Sequence, residues 1–204
     1  PLLMVVPNND PVQKNGRAAQ PLRIEKTQYH RGLFTHAKSN VLVKLGGTAK
    51  VFEAIVGVDT NEQTVGGRGS VVFSVKIGDK EAFRSGLMRE GTPAAPVRVD
   101  LAGASQFSLE VGDGGDGIAC DQADWADARV ILADGRTVWL ADLPATGLHL
   151  RKYTPEPFFS FTYGGKPSAL LLPSWPLSRK SRAIDDRRTE HVLTYSEPCG
   201  ALVV

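Results

Sequence analysis

The stretch from Gly112 to Val130 gathers five aspartates (Asp113, Asp116, Asp121, Asp124 and Asp127), the amide of Gln122 and the indole of Trp125 around a glycine-rich loop. Carboxylates and amides can each engage several hydroxyl groups, while an indole offers a flat face to the apolar C–H side of a pyranose ring. Such a set suits a sugar-binding surface better than covalent chemistry. Read as a loop running into an apolar strand at Ala128, it places Trp125 at the junction as the stacking face, with Asp121 and Gln122 as hydrogen-bonding neighbours. The same acids also suit a structural calcium ion, a hard cation that prefers oxygen ligands, and Asp113, Asp116 and Asp127 are the candidates. Their spacing does not match the twelve-residue helix–loop–helix calcium pattern.

Two further segments carry polar groups toward the same kind of ligand. His36 follows Arg31 and precedes a strand at Val41, so that a loop position lets its ring donate to one sugar hydroxyl and accept from another. Asp59 stands where a strand from Phe52 to Val58 ends, and Asn61 and Gln63 follow it with amide donors before a run of glycines. Each of these residues also has an ordinary structural use. A histidine can bridge two buried loops, Asp and Asn cap turns, and a tryptophan fills the core of a small sandwich. Alternation through Trp125, Asp127, Arg129 and Ile131 leaves open which face is buried.

Composition removes several other classes. The chain of 204 residues is 42% hydrophobic and carries 24 Lys plus Arg against 22 Asp plus Glu, so no strong field points to nucleic acid or an anionic membrane. The cluster Arg179 to Arg188 is interleaved with Asp185 and Asp186 and reads as a solvated loop. Cys120 and Cys199 lie far apart without metal-ligand spacing. No apolar run approaches the ~18 residues that span a bilayer. No nucleophile elbow or phosphate-binding loop occurs, and nothing in the spacing holds two carboxylates at the separation glycoside hydrolysis needs.

Period-two alternation predicts strands at Val41 to Leu45, Phe52 to Val58, Ser70 to Ile77, Glu81 to Ser85, Val97 to Leu101, Phe107 to Val111, Ala128 to Leu132 and Thr137 to Leu140. Gly78-Asp79 and the run Ala133 to Arg136 read as hairpin turns. Short strands at even spacing predict an all-β chain, a jelly-roll β-sandwich over 1–141, whose loops at one end are suited to recognition. Prolines at 144, 155 and 157 mark a linker over 142–157, and 158–204 reads as the start of an incomplete second β-domain, with strands at Phe158 to Tyr163, Leu170 to Leu172 and Thr189 to Tyr195. The apolar run Gly200 to Val204 has no partner after it, an expectation that the natural polypeptide continues.

Four blocks in order give a resemblance. Tyr29 to Ala37, Phe52 to Asp59, Gly69 to Val75 and Asp121 to Arg129 resemble the NPCBM modules, whose name denotes a carbohydrate-binding module, over roughly Pro21 to Leu140. Where family blocks read G-L-G-T-H-A and D-H-A-D-W, this chain has Phe34 for the second glycine and Gln122 for the histidine. The resemblance implies a sandwich that recognises galactose-type glycans and is appended to a secreted or periplasmic glycoside hydrolase. Pro157 to Ser168, Leu171 to Trp175 and Arg188 to Glu190 are similar to the opening of the N-terminal β-supersandwich of melibiase-type α-galactosidases. A catalytic barrel of about 250 residues would then lie downstream, as a partner in the same polypeptide. The expected role of this chain is to bind, through His36, Asp59, Asn61, Asp121, Gln122 and Trp125. The alternative is an accessory module that orients the barrel without touching sugar.

Overall fold

The computed structural model describes residues 1–147 and, beyond them, strand backbone at 162–163, 166–167, 177–185, 188–197 and 200–203. Pro1–Lys152 and Tyr153–Val204 are two compact units. The described residues of the first form fourteen strands: β1 (Leu2–Asn8), β2 (Gln13–Lys14), β3 (Leu22–Ile24), β4 (Thr27–Tyr29), β5 (Gly32–His36), β6 (Ser39–Lys44), β7 (Ala49–Val58), β8 (Val72–Ile77), β9 (Lys80–Arg84), β10 (Ala95–Asp100), β11 (Gln106–Gly112), β12 (Gln122–Leu132), β13 (Thr137–Trp139) and β14 (Ala145–Gly147).

Two sheets face each other. One has the order β14-β1-β6-β11-β8-β9, the other β10-β7-β12-β5-β2 with β13 added beside β12. Alternation decides what lies between them: Val41 and Val43 of β6, Phe73 and Val75 of β8 and Phe107 and Leu109 of β11 meet Phe52 and Val56 of β7 and Val130 of β12 in one continuous core. Aromatic rings cross the gap, with Phe52 and Phe107 centroids 5.1 Å apart. The expected hairpins are present, β8 to β9 around Gly78 and β12 to β13 around Gly135, both glycines at positive φ as tight turns require.

A small hairpin, β3 to β4, lies on the outer face of the second sheet and makes its own apolar cluster, with Leu22, Ile24, Phe34 and Ala126 buried. Close approach here depends on Gly57, where an added Cβ would stand 2.4 Å from Cγ2 of Ile24. The outer face of a sandwich sheet is normally polar. Here it is roofed, and that roof creates the polar rim described below.

In the second unit, Leu177–Asp185 pairs antiparallel with Arg188–Glu197, which pairs with Gly200–Val203. The charged stretch expected to be a loop is therefore strand from Leu177 to Asp185: ladder pairing such as Arg179 with Leu193 supplies the order that its composition hides. Of the strand expected at Phe158 to Tyr163, only Thr162–Tyr163 falls within the described residues, paired with Lys166–Pro167. The strand expected at Leu170 to Leu172 lies outside them.

Candidate functional site

β12 begins at Gln122, six residues before the expected start, so Gln122, Asp124 and Trp125 belong to a strand and not to a loop. A bulge explains why alternation left its faces open. The register against β7 shifts between Ala126 and Arg129, and Asp127 takes the extra position at φ 49. Ala123 and Trp125 before the bulge, and Ala128, Val130 and Leu132 after it, consequently all face the core. Trp125 is 0% exposed, with Phe73 edge-on at 5.0 Å and Phe52 at 6.1 Å. It is not a stacking face for a ligand: it joins the two sheets.

The other face of β12 holds the polar groups. Gln122 lies opposite His36 of β5, and the backbone N–H of Asp59 donates to the Gln122 carbonyl at 3.0 Å. The Asn61 amide donates to Oε1 of Gln122 at 2.7 Å and also to the Asp59 carboxylate, while Gln122 Nε2 donates to Oε1 of exposed Gln63. His36 sits in β5, not in a loop, and is 7% exposed, with Nδ1 beside the Ala37 carbonyl at 2.9 Å and the Asn9 amide at 3.4 Å. Four of the expected residues, His36, Asp59, Asn61 and Gln122, thus converge on one rim where β5, β12 and β7 end. Thr64 steadies the loop that carries Asn61, its hydroxyl accepting from the Asn61 backbone N–H at 2.9 Å.

Asp59 also latches the outer hairpin. Its Oδ2 accepts from the Arg23 backbone N–H at 3.1 Å, and the Thr60 N–H donates to the Arg23 carbonyl at 2.6 Å. Beneath it lies Asp124, wholly buried, whose carboxyl is pushed well above the ordinary carboxylate range by burial first and then by the Asp59 charge. Neither Asp124 oxygen has a hydrogen-bond partner among the described residues, and a protonated carboxyl there avoids burying a bare charge beside Asp59.

Asp121 does not join this rim. It is buried against the other loop, its Oδ1 accepting from the Ser70 backbone N–H at 2.6 Å, and burial raises its carboxyl above the ordinary range. The expected calcium ligands do not form one set: Asp113 and Asp116 share the loop against Ser70 and each pairs with a cation, while Asp127 has no such partner among the described residues. Asp113 pairs with Lys38 at 3.1 Å, Asp116 pairs with Arg89 at 3.1 Å and accepts from the Ser70 hydroxyl, and Asp127 stands on the β12 bulge. Among the described residues no three acidic, histidine or cysteine side chains converge as a metal site.

Beside the rim a cleft of about 180 Å³ opens between the outer hairpin and the loop after β7, lined by Arg17, Arg23, Gln28, Asp59, Asn61 and Glu62 among others. Arg17, Arg23 and Glu62 were not legible as site residues. The segments of Arg17 and Arg23 show no periodicity, and these two reach the cleft through the docking of β3 against Asp59 and the Arg17–Glu62 pair, Glu62 lying on the loop after β7 itself.

The build is a two-sheet sandwich with a polar rim at the ends of three strands. Residues 5–131 match the family described as the NPCBM/NEW2 domain, and this chain belongs to that family. It is 32% identical to the CBM51 of a Clostridium perfringens GH95 protein, solved in complex with methyl-galactose, with a TM-score of 0.55 over 62% of this chain and 91% of that one. A second solved structure, CBM51-2 and INT domains from Clostridium perfringens ZmpB, shares the fold at 24% identity and TM-score 0.56, over 62% of this chain and 29% of that one. A curated Renibacterium salmoninarum protein carrying the name of an endo-alpha-N-acetylgalactosaminidase is 31% identical over 125 residues. That match takes in 59% of this chain and 8% of the curated protein's length.

Proposed function

We propose that residues 1–141 form a non-catalytic module that binds galactose-type glycans through the rim of His36, Asp59, Asn61, Gln63 and Gln122, within a secreted or periplasmic α-galactosidase-like glycoside hydrolase. The observation that carries this is the shared amide of Asn61, which ties buried Asp59 to buried Gln122 and fixes donors and acceptors beside exposed Gln63. A galactose-bound relative at 32% identity supports the sugar class, and the glycosidase name of the curated relative supports the kind of parent enzyme. Tethering would raise the local concentration of glycan around a catalytic domain without any bond-making by this module. With hydroxyl contacts on one shallow edge and no indole behind them, the dissociation constant is on the order of 0.1 to 1 mM.

The burial of Trp125 favours a second reading, the accessory module that orients a catalytic barrel, because it removes the stacking platform. Chemical-shift mapping by NMR separates the two. Titrating methyl-galactoside should move the side-chain amides of Asn61, Gln63 and Gln122 first. Resonances that stay fixed at millimolar sugar, in a folded protein, would leave the accessory role.

A further inference from the structure

A second cleft, of about 340 Å³, lies beside the first and is lined by Gln13, Lys14, Asn15 and His30 together with Gln20 and Pro21, which line both. The ridge between the two is a backbone turn. Arg17 and Gln20 exchange N–H to carbonyl bonds of 2.9 Å each, and the two central residues, Ala18 at φ 48 and Ala19 at φ 64, are both left-handed. That geometry is normally given to Asn-Gly, and a side chain there costs roughly 1 kcal/mol per residue. The surroundings hold the turn in place regardless. Gln13 Oε1 accepts from the Ala18 N–H at 2.8 Å, Asn15 bonds the Gly32 backbone in both directions, and Arg17 pairs with Glu62 at 3.0 Å over the Phe34 ring. Gly16 permits the approach, since a Cβ there would stand 2.1 Å from the Gln20 carbonyl oxygen.

Strain that the neighbours overdetermine is a mark of a functional segment. The polar groups left over from that scaffolding point the same way. The side chains of Gln20, Gln28 and His30 are exposed and have no hydrogen-bond partner among the described residues. Charges in the first cleft are mixed, Arg17 and Arg23 against Asp59 and Glu62, which suits a neutral polyhydroxylated ring with hydroxyls that donate and accept. An anion would meet the Glu62 carboxylate instead. The first cleft alone falls below the usual ~300 to ~1,000 Å³ of a ligand site, while the second, at about 340 Å³, reaches that range and extends the space past the shared Gln20 and Pro21.

We infer that the Gln20-Pro21 ridge and the clefts on either side of it are a second subsite that holds the next neutral sugar ring of an oligosaccharide whose terminal residue sits at the Asn61 rim. This rests on the carbohydrate-binding reading above and adds that the module recognises a chain and not a single sugar. Calorimetry on the whole 204-residue chain, with methyl-galactoside, a panel of neutral galactose-terminated trisaccharides and their sialylated counterparts, tests it. At least one neutral trisaccharide should bind on the order of tenfold tighter than methyl-galactoside. Gln20→Ala with His30→Ala should erase that gain while leaving methyl-galactoside affinity unchanged. Equal affinity for every neutral trisaccharide and the monosaccharide, a gain untouched by the double substitution, or a gain confined to sialylated chains would each overturn the subsite and leave the rim intact. Failure of every sugar to bind would remove the rim as well.

Discussion

Trp125 shows how one inserted residue redirects a side chain. Had β12 alternated without interruption, Trp125 would share a face with Arg129 and Ile131; the bulge at Asp127 puts it with Ala128 and Val130 instead. Its contribution is therefore to stability, and Trp125→Ala should lower the free energy of unfolding by about 3 to 5 kcal/mol in a denaturant melt. Trp125→Phe should lose markedly less. Asp124 gives a second expectation at this scale. Its folded-state carboxyl is raised, so the folded chain holds a proton that the unfolded chain releases at lower pH. The associated stability is present in full below the unfolded carboxylate range and fades as pH rises through the raised folded value. Asp124→Asn removes the titrating carboxyl and stays neutral at all pH. Thermal melts of this variant should lack that decline, and a decline equal to the parent's would show that Asp124 is not the group responsible.

The hairpin β3 to β4 is the element on which the rim depends, because Asp59 and Thr60 are held by its backbone. Gly57→Ala would drive a methyl into Ile24 and should destabilise by about 1 to 3 kcal/mol while loosening this hairpin in particular. Hydrogen exchange at Arg23 and Thr60 amides reads that loosening, and unchanged protection would mean the hairpin is docked by other contacts. Legibility differed between elements for physical reasons. Strands such as β10 and β11 announce themselves because one face is buried and the other is more exposed, which writes alternation into the sequence. β5 is buried on every residue, since the hairpin roofs its outer face, and so it carries no alternation. β2 to β4 are two or three residues long, too short for any period to appear. Asp59, Asn61 and Gln122 could be found by residue type at a strand's exit or start. Arg17 and Arg23 could not, because their place depends on a contact between segments some 36 residues apart, such as Arg23 with Asp59.

At the scale of the whole chain, the sandwich is one compact unit and the following 52 residues, Tyr153–Val204, another. The first carries the polar rim, and the second holds the antiparallel ladder of Leu177–Asp185, Arg188–Glu197 and Gly200–Val203. Isothermal titration of methyl-galactoside into the folded chain tests the central claim most directly. Saturable heat is expected, with a dissociation constant on the order of 0.1 to 1 mM, and its loss in Asn61→Ala with Gln122→Ala at a melting temperature changed by only a few degrees. Absence of heat from the folded parent protein, or undiminished heat from the double variant, would contradict sugar binding at this rim.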